Sequence, residues 1–153
     1  MDYKIINLPS FNFIGLPLRT TNENNQAMRD IGLHWQKFMS ENMIEKIQKK
    51  TDSELLGLYI DYEGDFMKPY TFIIGCRVSD AVNVPDGMTV KLIPVAKYAV
   101  FTGKGKLPDI VPQTWMKIWN SGIERAYKSD FEVYGVKASN REDAEIDIYI
   151  SIK

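Results

Sequence analysis

Residues 144–153 alternate strictly, with Ile146, Ile148, Ile150 and Ile152 at every second position and Glu145, Asp147, Tyr149 and Ser151 between them. Successive side chains of a β-strand point to opposite faces, so this period places the isoleucines on one face and the polar set on the other. Residues 130–136 behave alike, with Phe131 and Val133 set against Glu132 and Tyr134. The linker between them holds the polar cluster Ser139-Asn140-Arg141-Glu142-Asp143, which makes the two segments a hairpin with a longish loop. With the aliphatic face as core, the opposite face of the hairpin is expected to gather Glu132, Tyr134, Asp147 and Tyr149. Such a face is either a solvated surface or the wall of a site for a cationic, aromatic ligand.

The rest of the chain sets the frame for that choice. Its 153 residues suit a single domain, long enough to bury roughly two-thirds of its unfolded surface. A net charge of −1 without any block of five like charges disfavours a nucleic-acid partner, which needs concentrated Lys and Arg to release counterions. One cysteine, Cys76, excludes an intramolecular disulfide and fits a reducing compartment. Met1-Asp2-Tyr3-Lys4 lacks a leader layout, and no apolar run approaches transmembrane length, so a cytoplasmic location without a membrane partner is expected. One histidine, His34, with one cysteine makes no zinc or copper set, and no cofactor is implied. Gly103-Lys104-Gly105-Lys106 lacks the Ser/Thr of a phosphate loop, and the stretch 61–65 lacks the register of a calcium loop.

Taken in order, residues 3–8 and 11–20 are extended, and 21–25 carry turn and cap chemistry. Met28, Ile31, Trp35, Phe38, Met39 and Ile47 recur by threes and fours, predicting one face of a long helix that ends near Lys46, Lys49 and Lys50. Two strand-like runs follow at 55–62 and 70–78. The second half repeats the order: strands at 89–93 and 97–102, a helix opened by Pro108-Asp109, then the hairpin. That helix should carry Trp115, Ile118, Trp119, Gly122 and Ala126 on one face. The expected fold class is therefore α+β, with duplicated β-α-β-β units at about 1–80 and 86–153 within one domain. The units should bring antiparallel sheets, two long helices and a central cleft between the halves. Tyr59 should turn towards that cleft and Tyr62 away from it.

At this point the residues resemble a known family. Phe131-Glu132-Val133-Tyr134, the terminal run 147–153, Leu58-Tyr59 before Tyr70-Thr71-Phe72-Ile73-Ile74-Gly75, and the pair Trp115 and Trp119 are similar to the effector-binding domain of AraC-type and MerR-type regulators. The same domain is called gyrase-inhibitor-like. The likeness spans essentially the whole chain and departs at Ser151, where the family usually has proline. It implies a tandem SHS2-like fold and a small-molecule site in which an acid at the bottom of an aromatic pocket pairs with cationic, planar ligands. Glu132 matches that acid, with Tyr134 beside it in the motif; Asp147 and Tyr149 match the acid and tyrosine of the last strand. Regulators of this kind also carry a helix-turn-helix segment, whereas here the domain begins at residue 3. A stand-alone module is expected, acting on a small amphipathic ligand, alone or with a separate regulator or target protein.

The expected ligand-binding set is Glu132, Asp147, Tyr149 and Tyr134 from the hairpin, joined by Tyr59, Trp119 and Trp115. The two tryptophans stand at i and i+4, a spacing that serves either a core or a ligand wall. Two alternatives stay open. In a hydrolase of strained, cyclopropane-type antibiotics, Glu132 would be the general base. In a protein-interaction inhibitor such as a gyrase modulator, an exposed patch outside the cleft would carry the function.

Overall fold

The alternating segments do form strands, and they join in one sheet. The computed structural model describes residues 3–153; Met1 and Asp2, the start of the stretch read above for a leader, lie outside it. Among the described residues there are eight strands: β1 (Lys4–Leu8), β2 (Phe11–Thr20), β3 (Leu55–Ile60), β4 (Tyr70–Val78), β5 (Thr89–Ile93), β6 (Ala96–Gly105), β7 (Asp130–Tyr134) and β8 (Ala144–Ser151). All pairings are antiparallel, in the order β1-β6-β8-β7-β3-β4-β2-β5. Replacing each strand by its counterpart four places along the chain turns this order end for end. The two halves meet edge to edge through β3 and β7, making one sheet rather than two. Each half also lends its short first strand to the other: β1 pairs with β6, and β5 with β2.

The helices are α1 (Gln26–Ser40) and α2 (Ile110–Trp119), and both lie on the same sheet face. α1 packs on β2 and β4, α2 on β6. Strands β2, β4 and β6 are thereby covered, and the central pair β3 and β7 becomes the floor between the helices. Phe38 and Ile118, nearly inaccessible, anchor the two helices, each contributing about 2–3 kcal/mol of apolar burial. α1 divides its apolar stripe: Ala27 and Phe38 face the sheet, while Met28 and Met39 stay exposed along the cleft. Trp35 is half-buried, meeting Tyr134 edge-on with ring centroids 5.1 Å apart.

Both helices are shorter than their apolar spacing predicts. Asn42 takes a left-handed φ of 51° after α1, and residues Met43–Lys46 form a separate 3-10 turn, so Ile47 is buried without belonging to the helix. The predicted cation at this terminus acts on the turn instead. Lys50 donates to the carbonyls of Ile44 and Ile47 at 3.2 and 2.8 Å. α2 stops before Gly122, whose φ of 76° only glycine adopts freely. Ala126 therefore lies outside it, in an extended segment where Arg125 bridges Ile152.

The opposite sheet face is also a core, built from Phe13, Leu56, Leu58, Ile73, Tyr98 and Phe131. Gly15 and Gly75 oppose one another across β2 and β4, where a Cβ on Gly75 would run into the carbonyl oxygen of Ile14. That close backbone approach is the physical use of glycine within a strand. With both faces of β7 buried, apolar pattern alone does not tell which side meets the helices. Register does. Glu132 stands opposite Ile148, Phe131 opposite Tyr149 and Val133 opposite Asp147, and opposed residues share a face. Glu132 therefore sides with the isoleucines under the helices, and the expected grouping with Asp147 and Tyr149 is overturned.

Candidate functional site

The cleft between α1 and α2 encloses about 950 Å³. Its floor is β3 and β7, and its walls are rings from the helices and the neighbouring strands. On β7, alternation turns Asp130, Glu132 and Tyr134 towards it; on β3 it turns Leu55, Gly57 and Tyr59 the same way. Glu132 pairs across the strands with Gly57. A Cβ there would lie 2.9 Å from Glu132 Oε1 and 3.0 Å from the Phe72 ring. Glycine at this position leaves the carboxylate its room.

Glu132 is 1% exposed, and every bond it makes is accepted. Tyr59 Oη and Trp115 Nε1 each donate to Oε2 at 2.7 Å, and Tyr134 Oη donates to Oε1 at 2.6 Å. An indole N–H can only donate, so the arrangement presents an acceptor to all three groups. No basic side chain pairs with Glu132 among the described residues. Burial raises its pKa above the ordinary carboxylate range, and the bonds from Tyr134, Trp115 and Tyr59 hold part of that rise back. Burial and the adjacent carboxylate likewise push the Tyr59 and Tyr134 hydroxyls well up, so both stay donors. Around this acid the rings form a continuous wall. Tyr59 lies 4.9 Å from Phe72, 5.0 Å from Trp115 and 5.6 Å from Tyr70 between centroids. Trp119, 39% exposed at the rim, stacks on Phe66 at 5.2 Å.

A second polar cluster lies at the start of β7. Asp130 Oδ1 accepts from Ser151 N and Oγ at 2.7 and 2.9 Å, and Oδ2 accepts from Tyr62 Oη at 2.5 Å and Arg125 Nη2 at 2.8 Å. The Arg125 and Asp130 side chains are 5% and 0% exposed. Ser151 thus does more than replace the family's proline on an edge. β8 is an interior strand, and the Ser151 N–H donates a bond that proline lacks.

Of the expected residues, Glu132, Tyr59, Tyr134, Trp115 and Trp119 meet in the cleft. Asp147 and Tyr149 do not. Asp147 accepts from Thr102 Oγ1 at 2.6 Å, and Tyr149 stacks on Phe131 at 4.6 Å, both on the other face. Tyr62 corrects the reading in the opposite sense. Asp61 takes φ 52°, which breaks the strand's alternation and swings Tyr62 to the cleft. Arg125 and Asp130 carry no expectation. Asp130 was accessible to the same alternation that picked Glu132, two residues on, while Arg125 fell within the span assigned to the second helix. His34 is a satisfied residue, its Nε2 2.7 Å from the Leu16 carbonyl oxygen. Among the described residues no group of three or more His, Cys, Asp or Glu could hold a metal ion, and no helix is long and apolar enough to cross a membrane.

An antiparallel sheet carrying two helices, with a ring-lined cleft over a buried acid, defines the class: an α+β effector-binding domain. The sequence profile of one family, Cass2, described as integron-associated effector binding protein, matches residues 4–152. The chain belongs to that family. It is 31% identical to YobU of Bacillus subtilis (strain 168), a candidate transcriptional regulator, over 92% of this chain and 91% of that one. The transcriptional regulator BrlR of Pseudomonas aeruginosa is 27% identical over 99% of this chain, which spans 56% of BrlR's length. Among solved structures, the Vibrio cholerae integron cassette protein VCH_CASS2 superposes with a TM-score of 0.79 at 29% identity, covering 99% of this chain and 95% of that one. SAV2435, solved bound to tetraphenylphosphonium, shares the fold with a TM-score of 0.83 at 23% identity, covering 100% and 94%.

Proposed function

We propose that the cleft captures amphipathic aromatic cations and that Glu132 is their counter-charge, in a cytoplasmic module used for sequestration or for sensing with a separate regulator. One observation carries this: Glu132 is a buried acid with three donors, no basic partner among the described residues, and rings on its sides. A carboxylate withdrawn from water is unfavourable unless neutralised, and in a cleft of low polarity it attracts a cation more strongly than at a surface. Tyr59, Tyr134, Trp115 and Trp119 add ring faces, each worth about 0.5–2 kcal/mol to a cation placed over it. Tetraphenylphosphonium, the ligand of SAV2435, is such a cation, with no hydrogen-bonding group. Both oxygens of Glu132 are engaged by donors, which suits a counter-ion better than a base that must hold and deprotonate a water.

The test is Glu132→Gln with tetraphenylphosphonium, read by quenching of tryptophan fluorescence. The amide keeps its oxygen towards Trp115 and Tyr59, and the Tyr134 hydroxyl can turn to accept from the new NH₂, so the fold should persist. Affinity should fall about 10- to 100-fold, the loss of an interaction with a charged group. An unchanged Kd sinks the proposal.

A further inference from the structure

Arg125 carries donors that the fold does not use. Arg125 lines the cleft, and its guanidinium lies among rings, its central carbon 4.3 Å from the centroid of Tyr127, 5.7 Å from Trp115 and 5.8 Å from Tyr62. Trp115 therefore touches both polar points of the cleft, Glu132 through its N–H and Arg125 through its ring. Of the three guanidinium nitrogens only Nη2 is engaged, donating to Asp130 Oδ2 at 2.8 Å and reaching Tyr62 Oη at 3.4 Å. Nε and Nη1 are buried and find no hydrogen-bond partner among the described residues. Native proteins rarely leave such donors unpaired, because each loses its hydration without replacement.

The charge of Arg125 is already balanced by Asp130. What the site lacks is an acceptor, not an anion. We propose that Arg125 is a second recognition point, and that the ligand is an aromatic cation also bearing an uncharged acceptor oxygen of the carbonyl, ester, ether or phosphoryl kind. That oxygen takes a hydrogen bond from Nε or Nη1, brought to the cleft by a small turn of the side chain, while the cationic part faces Glu132. The inference rests on the aromatic-cation reading of the cleft and narrows it: a site that donates to a substrate oxygen discriminates strongly against the analogue lacking it.

Two probes separate the contributions: 4-benzoyl-N-methylpyridinium and 4-benzyl-N-methylpyridinium, cations of like shape that differ in a ketone against a methylene. The wild type should bind the ketone at least about tenfold more tightly. Arg125→Met with Asp130→Asn removes the donors without stranding a buried charge, and the Asn oxygen still accepts from Ser151; this variant should bind both probes alike. Arg125→Lys, which keeps the pair with Asp130, should lose most of the ketone preference should the double variant fail to fold. Glu132→Gln should weaken both probes by the same factor. Absence of a ketone preference in the wild type, or its survival in the variant lacking Arg125, overturns the assignment to Arg125 while Glu132→Gln still weakens both probes. If Glu132→Gln leaves both affinities unchanged, the aromatic-cation reading falls and this inference falls with it.

Discussion

Trp115→Phe tests the electrostatics of the site without emptying it. The ring remains, so most of the contact with Tyr59 at 5.0 Å remains, but the N–H that donates to Glu132 Oε2 at 2.7 Å is gone. A bond to a charged acceptor is worth about 1.5–3 kcal/mol and one to a neutral acceptor about 0.5–1.5. The difference, about 1 kcal/mol or somewhat more, is the part that depends on Glu132 being ionised, and its loss pushes the Glu132 carboxyl further up. The sign follows from linkage. Burial already raises Glu132 above its unfolded value, so the folded protein holds the proton in a range where the unfolded chain has released it. Stability therefore falls as pH rises from the ordinary carboxylate range through the raised value. Losing the indole donor lifts that value again and prolongs the fall. Urea denaturation of wild type and variant at about pH 4, near the unfolded value, and again at about pH 8 reads this directly. At the lower pH only the packing difference and a neutral bond remain; at the higher pH the deficit should grow by about 1 kcal/mol or more. Taking the difference between the two proteins cancels every other titrating group. A deficit that is equal at the two pH values, or larger at the lower, refutes the reasoning.

Other expectations follow from the same geometry. Tetraphenylphosphonium should bind more tightly as pH rises through the raised range of Glu132 and level off above it, because only the ionised acid attracts it; a flat profile in the wild type contradicts this, and Glu132→Gln should show one. Gly57→Ala should place its methyl against Glu132 Oε1 and the Phe72 ring, lowering stability by about 1–3 kcal/mol and weakening binding; unchanged thermal unfolding tells against the close approach. Trp35 is only half-buried, so Trp35→Ala should lose less than the roughly 3–5 kcal/mol of a fully buried ring, while opening the wall beside Tyr134; a full-sized loss by chemical denaturation would place it in the core.

What the sequence determined by itself is whatever depends on neighbours along the chain. Strict alternation in 144–151 admits only a strand, and the apolar spacing of Met28, Ile31, Trp35 and Phe38 only a helix, because both signals are periods of the backbone itself. Glu132 was legible in the same way, through alternation and through the motif it shares with a known family. Periods do not carry phase between elements. Whether Glu132 sides with Ile148 or with Tyr149 depends on the hairpin register, and a slip of one residue exchanges the faces. Asp147 and Tyr149 were lost to the site for that reason. Tyr62 was gained through one left-handed residue, Asp61, a conformation Asp tolerates but strand alternation carried through to residue 62 does not show. Arg125 was hidden because apolar spacing continued past Trp119, while the chain had already left the helix before Gly122. Only the tertiary structure brings Arg125, Asp130, Tyr62 and Ser151 together: Arg125 and Asp130 are five residues apart, but Tyr62 and Ser151 come from distant parts of the chain, and a bond between distant residues leaves no period to read.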